Sequence, residues 1–146
     1  MPRSTASTVI NAPADTVWGY IRDFNGLPDW HAGLVASSHI EGGKGGDQVG
    51  GIRNFELVDG TGIREVLTAH SDADRSYSYA FCEPPFPVID YHATIRVTPV
   101  TDGDRSFVEW TTTFDCERAE LDHWKDFFAS QVFKGGLEAI RDHFAQ

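Results

Sequence analysis

Hydrophobic and polar residues alternate with period two along most of this chain, a pattern that predicts β-strands. The clearest run is 89–100. Ile89, Tyr91, Ala93, Ile95 and Val97 share one face there, and Asp90, His92, Thr94, Arg96 and Thr98 share the other. Similar runs predict strands over 5–10, 34–40, 49–58, 63–70, 76–81 and 107–115. Apolar spacing turns helical in two places. Val17, Trp18, Ile21 and Phe24 follow Pro13 and Asp15, residues suited to a first helical turn. Asn25-Gly26 ends that helix, and Leu27-Pro28-Asp29-Trp30 predicts a second short one. A long helix is predicted over 121–144. Trp124, Phe128 and Val132 line its apolar stripe, and Phe133, Leu137, Ile140 and Phe144 continue it, shifted around the axis. Gly135 and Gly136 interrupt this helix at a cost of about 1 kcal/mol each relative to Ala. Either the helix packs closely there, or it leaves room for a ligand beneath it.

The order β-α-α-β-β-β-β-β-β-α predicts an α+β fold, one seven-stranded antiparallel sheet with a long helix to cover. A sheet of that size curls, and a single helix leaves a cavity against its concave face. Strand alternation and the helix stripe predict the lining: Phe55, Leu57, Leu67, Tyr79, Phe81, Tyr91, Trp110, Phe128 and Val132. Tyr77 joins Tyr79 and Tyr91 as a source of hydroxyls. Two charges share these apolar faces. Arg53 lies between Gly51 and Phe55, and Glu65 lies between Ile63 and Leu67. A buried charge is costly unless paired, so Arg53 and Glu65 are expected to face each other in the cavity. Arg53 suits an anionic or carbonyl oxygen, and a desolvated Glu65 suits proton transfer. An ion pair that only braces the two strands explains the same pattern equally well. The 59–62 turn and the proline-rich 83–87 connector should flank one entrance, with Trp30 and His31 close by. His31 is a candidate proton shuttle or a simple exposed histidine.

Composition narrows the partners. The chain has 12 basic and 22 acidic residues, a net charge of −10. That excludes the basic surface needed for nucleic acid and disfavours anionic membranes. Its 146 residues fit one domain, 1–146. Ten Phe, four Trp and four Tyr supply ample aromatic lining. Neither a signal peptide nor an apolar run of membrane-spanning length is apparent, so a cytoplasmic location without membrane insertion is expected. Cys82 and Cys116 read as buried free thiols. His39, His70, His92, His123 and His143 are scattered over polar faces, without metal-ligand spacing. No cofactor or metal is implied. The expected partner is a small apolar or aromatic molecule, and a homodimer stays open.

Seven local motifs run along almost the whole chain in a recognisable order. They are I-N-A-P-A-D-T-V-W at 10–18, D-F-N-G-L-P-D-W at 23–30, V-G-G-I-R at 49–53, R-E-V-L at 64–67, P-V-I-D-Y at 87–91, V-E-W at 108–110 and V-F-K-G-G-L at 132–137. In this the chain resembles the START and Bet v 1-like (SRPBCC) superfamily, in its polyketide cyclase/dehydrase-like branch. The resemblance implies a helix-grip fold around a cavity for hydrophobic or lipid-like ligands. Plant hormone receptors of this fold use the loop matching 59–62 as a gate, and a lysine at the position matching Ala36 holds the ligand's acid group. The plant lachrymatory-factor synthase uses an arginine and a glutamate at positions matching Arg53 and Glu65. Two functions follow as expectations: binding of a small, mostly apolar organic ligand, or a cyclase, dehydratase or isomerase reaction through Arg53 and Glu65.

Overall fold

A computed structural model of the chain describes residues 1–145. Seven strands form one antiparallel sheet: β1 (Arg3–Ile10), β2 (Val35–Ile40), β3 (Ile52–Leu57), β4 (Gly62–Ser71), β5 (Ser76–Phe81), β6 (Ile89–Val100) and β7 (Arg105–Asp115). The spatial order is β1-β7-β6-β5-β4-β3-β2, a meander from β2 to β7 with β1 added beside β7. Helices α1 (Ala14–Ile21) and α2 (Leu27–Trp30) fill the crossover from β1 to β2. The C-terminal helix runs from α3 (Leu121–Asp126) through a wider π-helical stretch (Phe127–Lys134) into α4 (Gly135–Phe144). This is the helix-grip arrangement that the alternation and the resemblance predicted.

Period-two burial places the core. In β7, Ser106, Val108, Trp110, Thr112 and Phe114 are buried and their neighbours are less so. Trp110 is the largest fully buried side chain. Its indole stacks on Phe133 of the C-terminal helix at 4.8 Å between centroids, and its Nε1 donates to the Tyr79 hydroxyl at 3.0 Å. One ring thus joins helix, β7 and β5. Ser4 Oγ donates to the Lys125 carbonyl at 2.6 Å and ties β1 to the same helix.

Several boundaries differ from the expected ones. The first helix stops at Ile21 rather than Phe24, and Phe24 turns into the core from a loop whose backbone bonds Gly46. β3 begins at Ile52 rather than at residue 49, and Val49 is exposed. Ile89 is also exposed, although its parity matches Tyr91. Asp90 adopts φ 55, and the β6–β7 register slips between Ile89 and His92, so the bulge turns Ile89 off the inner face. Cys82 and Cys116 are free but half-buried rather than buried. His70 is not on a polar face. Its side chain is buried against Trp18, with Nε2 3.3 Å from Asp72.

The connector between β5 and β6 is held from outside the cavity. Arg64 on β4 grips Glu41 through two bonds of 2.7 and 2.9 Å and reaches Glu83 at 2.7 Å. Exposed pairs of this kind add little stability. Their effect is positional: they fix the segment that carries Phe86.

Candidate functional site

One cavity lies between the sheet and the C-terminal helix. It is walled by α2, β2–β7, the β5–β6 connector and the π-helical stretch. Its volume is ≈ 40 Å³, counted as space open to the centre of a water molecule. One water needs roughly 10–15 Å³ on that measure. The closed cavity therefore holds only a few waters, and an organic ligand must part the walls. The half-buried Leu34, Phe86, Phe127 and Val132 are the lining residues best placed to move.

Sequence reasoning placed His31, Arg53, Phe55, Leu57, Glu65, Tyr79, Phe81, Tyr91, Trp110, Phe128 and Val132 around the site, and all of them line this cavity. Three others do not. Leu67 and Tyr77 share the correct face but lie farther along β4 and β5, in the packed core. Trp30 is buried behind His31, stacked on it at 5.6 Å. Leu27, Leu34, Val35, Ile63, Phe86 and Phe127 complete the lining and were missed. Ile63 and Val35 were legible, since alternation puts Ile63 beside Glu65, and Val35 sits on a buried strand face. Phe86 in a connector and Phe127 beside Phe128 carried no periodic signal. Ala36 is exposed beside a bulge in β2, so the β2 residue that reaches the cavity is Val35. The 59–62 turn lies next to the lining residues Leu57 and Ile63. Asp59 Oδ1 accepts from the Thr61 backbone N–H at 2.9 Å, and Gly60 takes φ 92, so the turn is tight.

Arg53 and Glu65 sit directly opposite each other on β3 and β4. Both Arg53 contacts go to one carboxylate oxygen: Nε and Nη2 reach Glu65 Oε1 at 2.8 and 2.7 Å. Arg53 Nη1 donates to the Phe24 carbonyl at 3.1 Å. The guanidinium carbon lies 4.0 Å from the Phe24 ring centre and 4.6 Å from that of Tyr79. The fork is thus spent on its own protein. Among the described residues no side chain donates to Glu65 Oε2. Burial works most strongly against the Arg53 charge, yet Glu65, Tyr77 and Tyr79 together raise its pKa. At Glu65 burial dominates and raises the carboxyl pKa, while Arg53 draws it back. Arg53 does not lose its proton, and protonating Glu65 would strand that cation. The pair is therefore ionic at neutral pH.

His31 was expected near the mouth and is instead buried at 4% exposure. Its Nε2 donates to the Val132 carbonyl at 2.7 Å. Val132 lies in the π-helical stretch, where the wider turn leaves carbonyls for outside donors. A β-carbon on Gly136 would stand 3.0 Å from both Nε2 and Cδ2 of His31 and 2.9 Å from Trp110. The glycine pair thus reflects close packing of the helix on His31 and Trp110.

His31 also sets a pH dependence. Burial first, then the Arg53 charge, lowers its pKa from 6.5, against the pull of the Val132 carbonyl. Below pH 6.5 the unfolded chain takes up a proton that the folded one does not. This stability is complete above pH 6.5 and falls as pH drops toward the folded value. Glu65 has the opposite sign. Its raised pKa makes the folded chain the better proton binder above 4.5, so its contribution falls as pH rises. Thermal melts between about pH 7 and about pH 5 should show stability dropping in the wild type. His31→Gln, whose amide can still donate to Val132, should flatten that drop. An unchanged slope would mean that His31 titrates freely.

The model of the family described as polyketide cyclase / dehydrase and lipid transport matches residues 1–146. No curated protein sequence matches. Among solved structures, the chain is similar to XoxI from Bacillus cereus at 32% identity and a TM-score of 0.87, over 100% of this chain and 97% of that one. It is similar to an uncharacterized protein from Bacillus thuringiensis at 31% identity and 0.86, over 99% of each. Norcoclaurine synthase from Thalictrum flavum, solved with dopamine and hydroxybenzaldehyde, shares 19% identity at a TM-score of 0.77, over 97% of this chain and 84% of that one. That last likeness is one of fold. With the whole length matched and the helix-grip fold in place, the chain belongs to the polyketide cyclase/dehydrase and lipid transport family of the START and Bet v 1-like superfamily.

Proposed function

We propose that this protein binds a small, mostly apolar organic molecule in the cavity beneath its C-terminal helix. The carrying observation is a buried, largely aromatic chamber built around a single ion pair, with Glu65 Oε2 unbonded at its wall. Apolar burial supplies affinity, and the few polar groups fix orientation. Half-buried Phe86, Phe127 and Val132 swing aside to admit the molecule. Native mass spectrometry of freshly purified protein tests this reading. The wild type should carry a small organic adduct or take one up from a mixture of aromatic compounds. Val132→Phe, which fills the chamber, should reduce occupancy at least about tenfold at a stability cost of no more than about 1–3 kcal/mol, leaving the protein folded. Equal occupancy in both proteins would remove the cavity from the explanation.

Glu65 favours a second reading, a cyclase, dehydratase or isomerase. A carboxyl with a raised pKa and one free oxygen, facing an apolar chamber, is suited to moving a proton on a bound ligand. Arg53 then keeps Glu65 aimed rather than touching the ligand. Turnover abolished in Glu65→Gln with ligand affinity retained would establish this reading over simple binding.

A further inference from the structure

Resting on the cavity-binding reading, we infer that the ligand is neutral and carries a hydrogen-bond donor, a hydroxyl or phenol, which it gives to Glu65 Oε2; carboxylates are excluded. The polar groups in the wall set what a ligand can offer. The titratable lining residues are Arg53, Glu65, His31, Tyr79 and Tyr91, and burial raises the pKa of both tyrosines, which keeps their hydroxyls neutral.

Arg53 is the sole permanent cation in that lining, and it is committed. Its fork holds Glu65 Oε1 and the Phe24 carbonyl, and aromatic rings lie within 5 Å of its guanidinium carbon. A ligand carboxylate would have to break the bond to Glu65 and leave that carboxylate buried beside it, two anions sharing one cation. Truncating or displacing one partner of a buried pair costs several kcal/mol.

His31 offers no cation either. Its Nε2 must donate, since its partner is a carbonyl, and the ring is neutral. The Cδ2, Nε2 and Cε1 edge faces Gly135 and Gly136, with Cε1 3.7 Å from a β-carbon on Gly135. Nδ1 lies on the side turned away from that helix. It carries a lone pair and accepts no hydrogen bond from the described residues. The Tyr79 hydroxyl already accepts from Trp110. The Tyr79 and Tyr91 hydroxyls can each give or take a bond but add no cation. The one charged group of the wall with capacity to spare is therefore an acceptor, Glu65 Oε2, with the His31 Nδ1 lone pair as a second acceptor. The matching ligand feature is a donor. Single-ring molecules suit a chamber that holds a few waters when closed.

Four probes of near-equal size separate the possibilities: phenol, anisole, toluene and benzoate, titrated at neutral pH and followed by amide shifts of the cavity-wall residues. Phenol should bind about tenfold tighter than anisole and toluene, the order expected for one hydrogen bond to a charged acceptor. Benzoate should give no saturable shift at these residues. In Glu65→Gln the amide oxygen stays on Arg53 and the amide nitrogen turns to the chamber, replacing an acceptor by a donor. The preference for phenol over anisole should then fall below about twofold or reverse. Benzoate binding as tightly as phenol, or anisole matching phenol in the wild type, overturns the inference while leaving the cavity reading intact. Failure of all four probes to bind overturns both. The wild-type order decides the matter even if Glu65→Gln does not fold.

Discussion

Arg53→Ala is expected to cost about 3–5 kcal/mol of stability, the largest loss from any single side chain discussed above. That is a large share of the 5–15 kcal/mol that holds a typical domain together. Two effects combine. The substitution removes an aromatic-packed side chain that is 1% exposed. It also leaves Glu65, itself 4% exposed, without the cation that keeps it ionised. Stability should then fall steeply as pH rises, because Glu65 can stay buried only by holding its proton. Arg53→Met with Glu65→Leu removes both charges and keeps the volume. That double variant is expected to recover most of the loss and to equal or exceed the wild type. Urea unfolding of the two singles and the double measures this directly. The outcome bears on function. If an apolar pair folds as well or better, stability does not account for an ion pair at this position, and recognition of a ligand's polar group does. A single variant that loses less than about 1 kcal/mol would mean the guanidinium is far less enclosed than its contacts indicate.

Parity carried the sequence reading a long way and then stopped for identifiable reasons. Arg53 and Glu65 were placed face to face because period two fixes which side of a strand a residue occupies, and their register makes them partners. Parity gives the face but not the depth. Leu67 and Tyr77 have the correct parity, yet they lie in the solid core rather than at the chamber. Bulges also cancel parity without leaving a mark in the composition. Asp90 at φ 55 turns Ile89 outward, and the shift between Val35 and Ser37 puts Ala36 outside. The helix shows the same limit. Its apolar stripe was visible as shifting around the axis after Val132, and a π-helical stretch from Phe127 to Lys134 is the physical cause. Nothing in a helical-period reading distinguishes that stretch from a regular turn. His31 was missed as a buried residue because its burial comes from two distant segments, Trp110 on β7 and the glycine pair above, added to its neighbour Trp30.

That glycine pair yields a contrast between neighbours of identical chemistry. Gly135→Ala should stabilise the protein by about 0.5–1 kcal/mol, because Ala is the better helix former and loses less backbone freedom on folding. Its new β-carbon would meet only His31 Cε1, at an ordinary 3.7 Å. Gly136→Ala has the same propensity gain and the opposite outcome. Its β-carbon would stand 2.9 Å from Trp110 Cζ3 and 3.0 Å from two atoms of the His31 ring. Neither ring can yield cheaply. Trp110 is clamped by Phe133 and by its bond to Tyr79, and His31 by its bond to Val132. Overpacking of this kind costs about 1–3 kcal/mol, enough to outweigh the propensity gain. The helix would have to lift from the sheet at the point where it roofs the chamber. Gly136→Ala should therefore lower the melting temperature and weaken the Nε2 bond of His31 to Val132. That bond is what pulls the His31 pKa up against burial, so its weakening moves the pKa further below 6.5. Histidine shifts followed by NMR across the titration read that change, and Gly135→Ala should leave them where they are. Equal effects from the two substitutions would mean that helix propensity, not contact with the two rings, sets the requirement for glycine here.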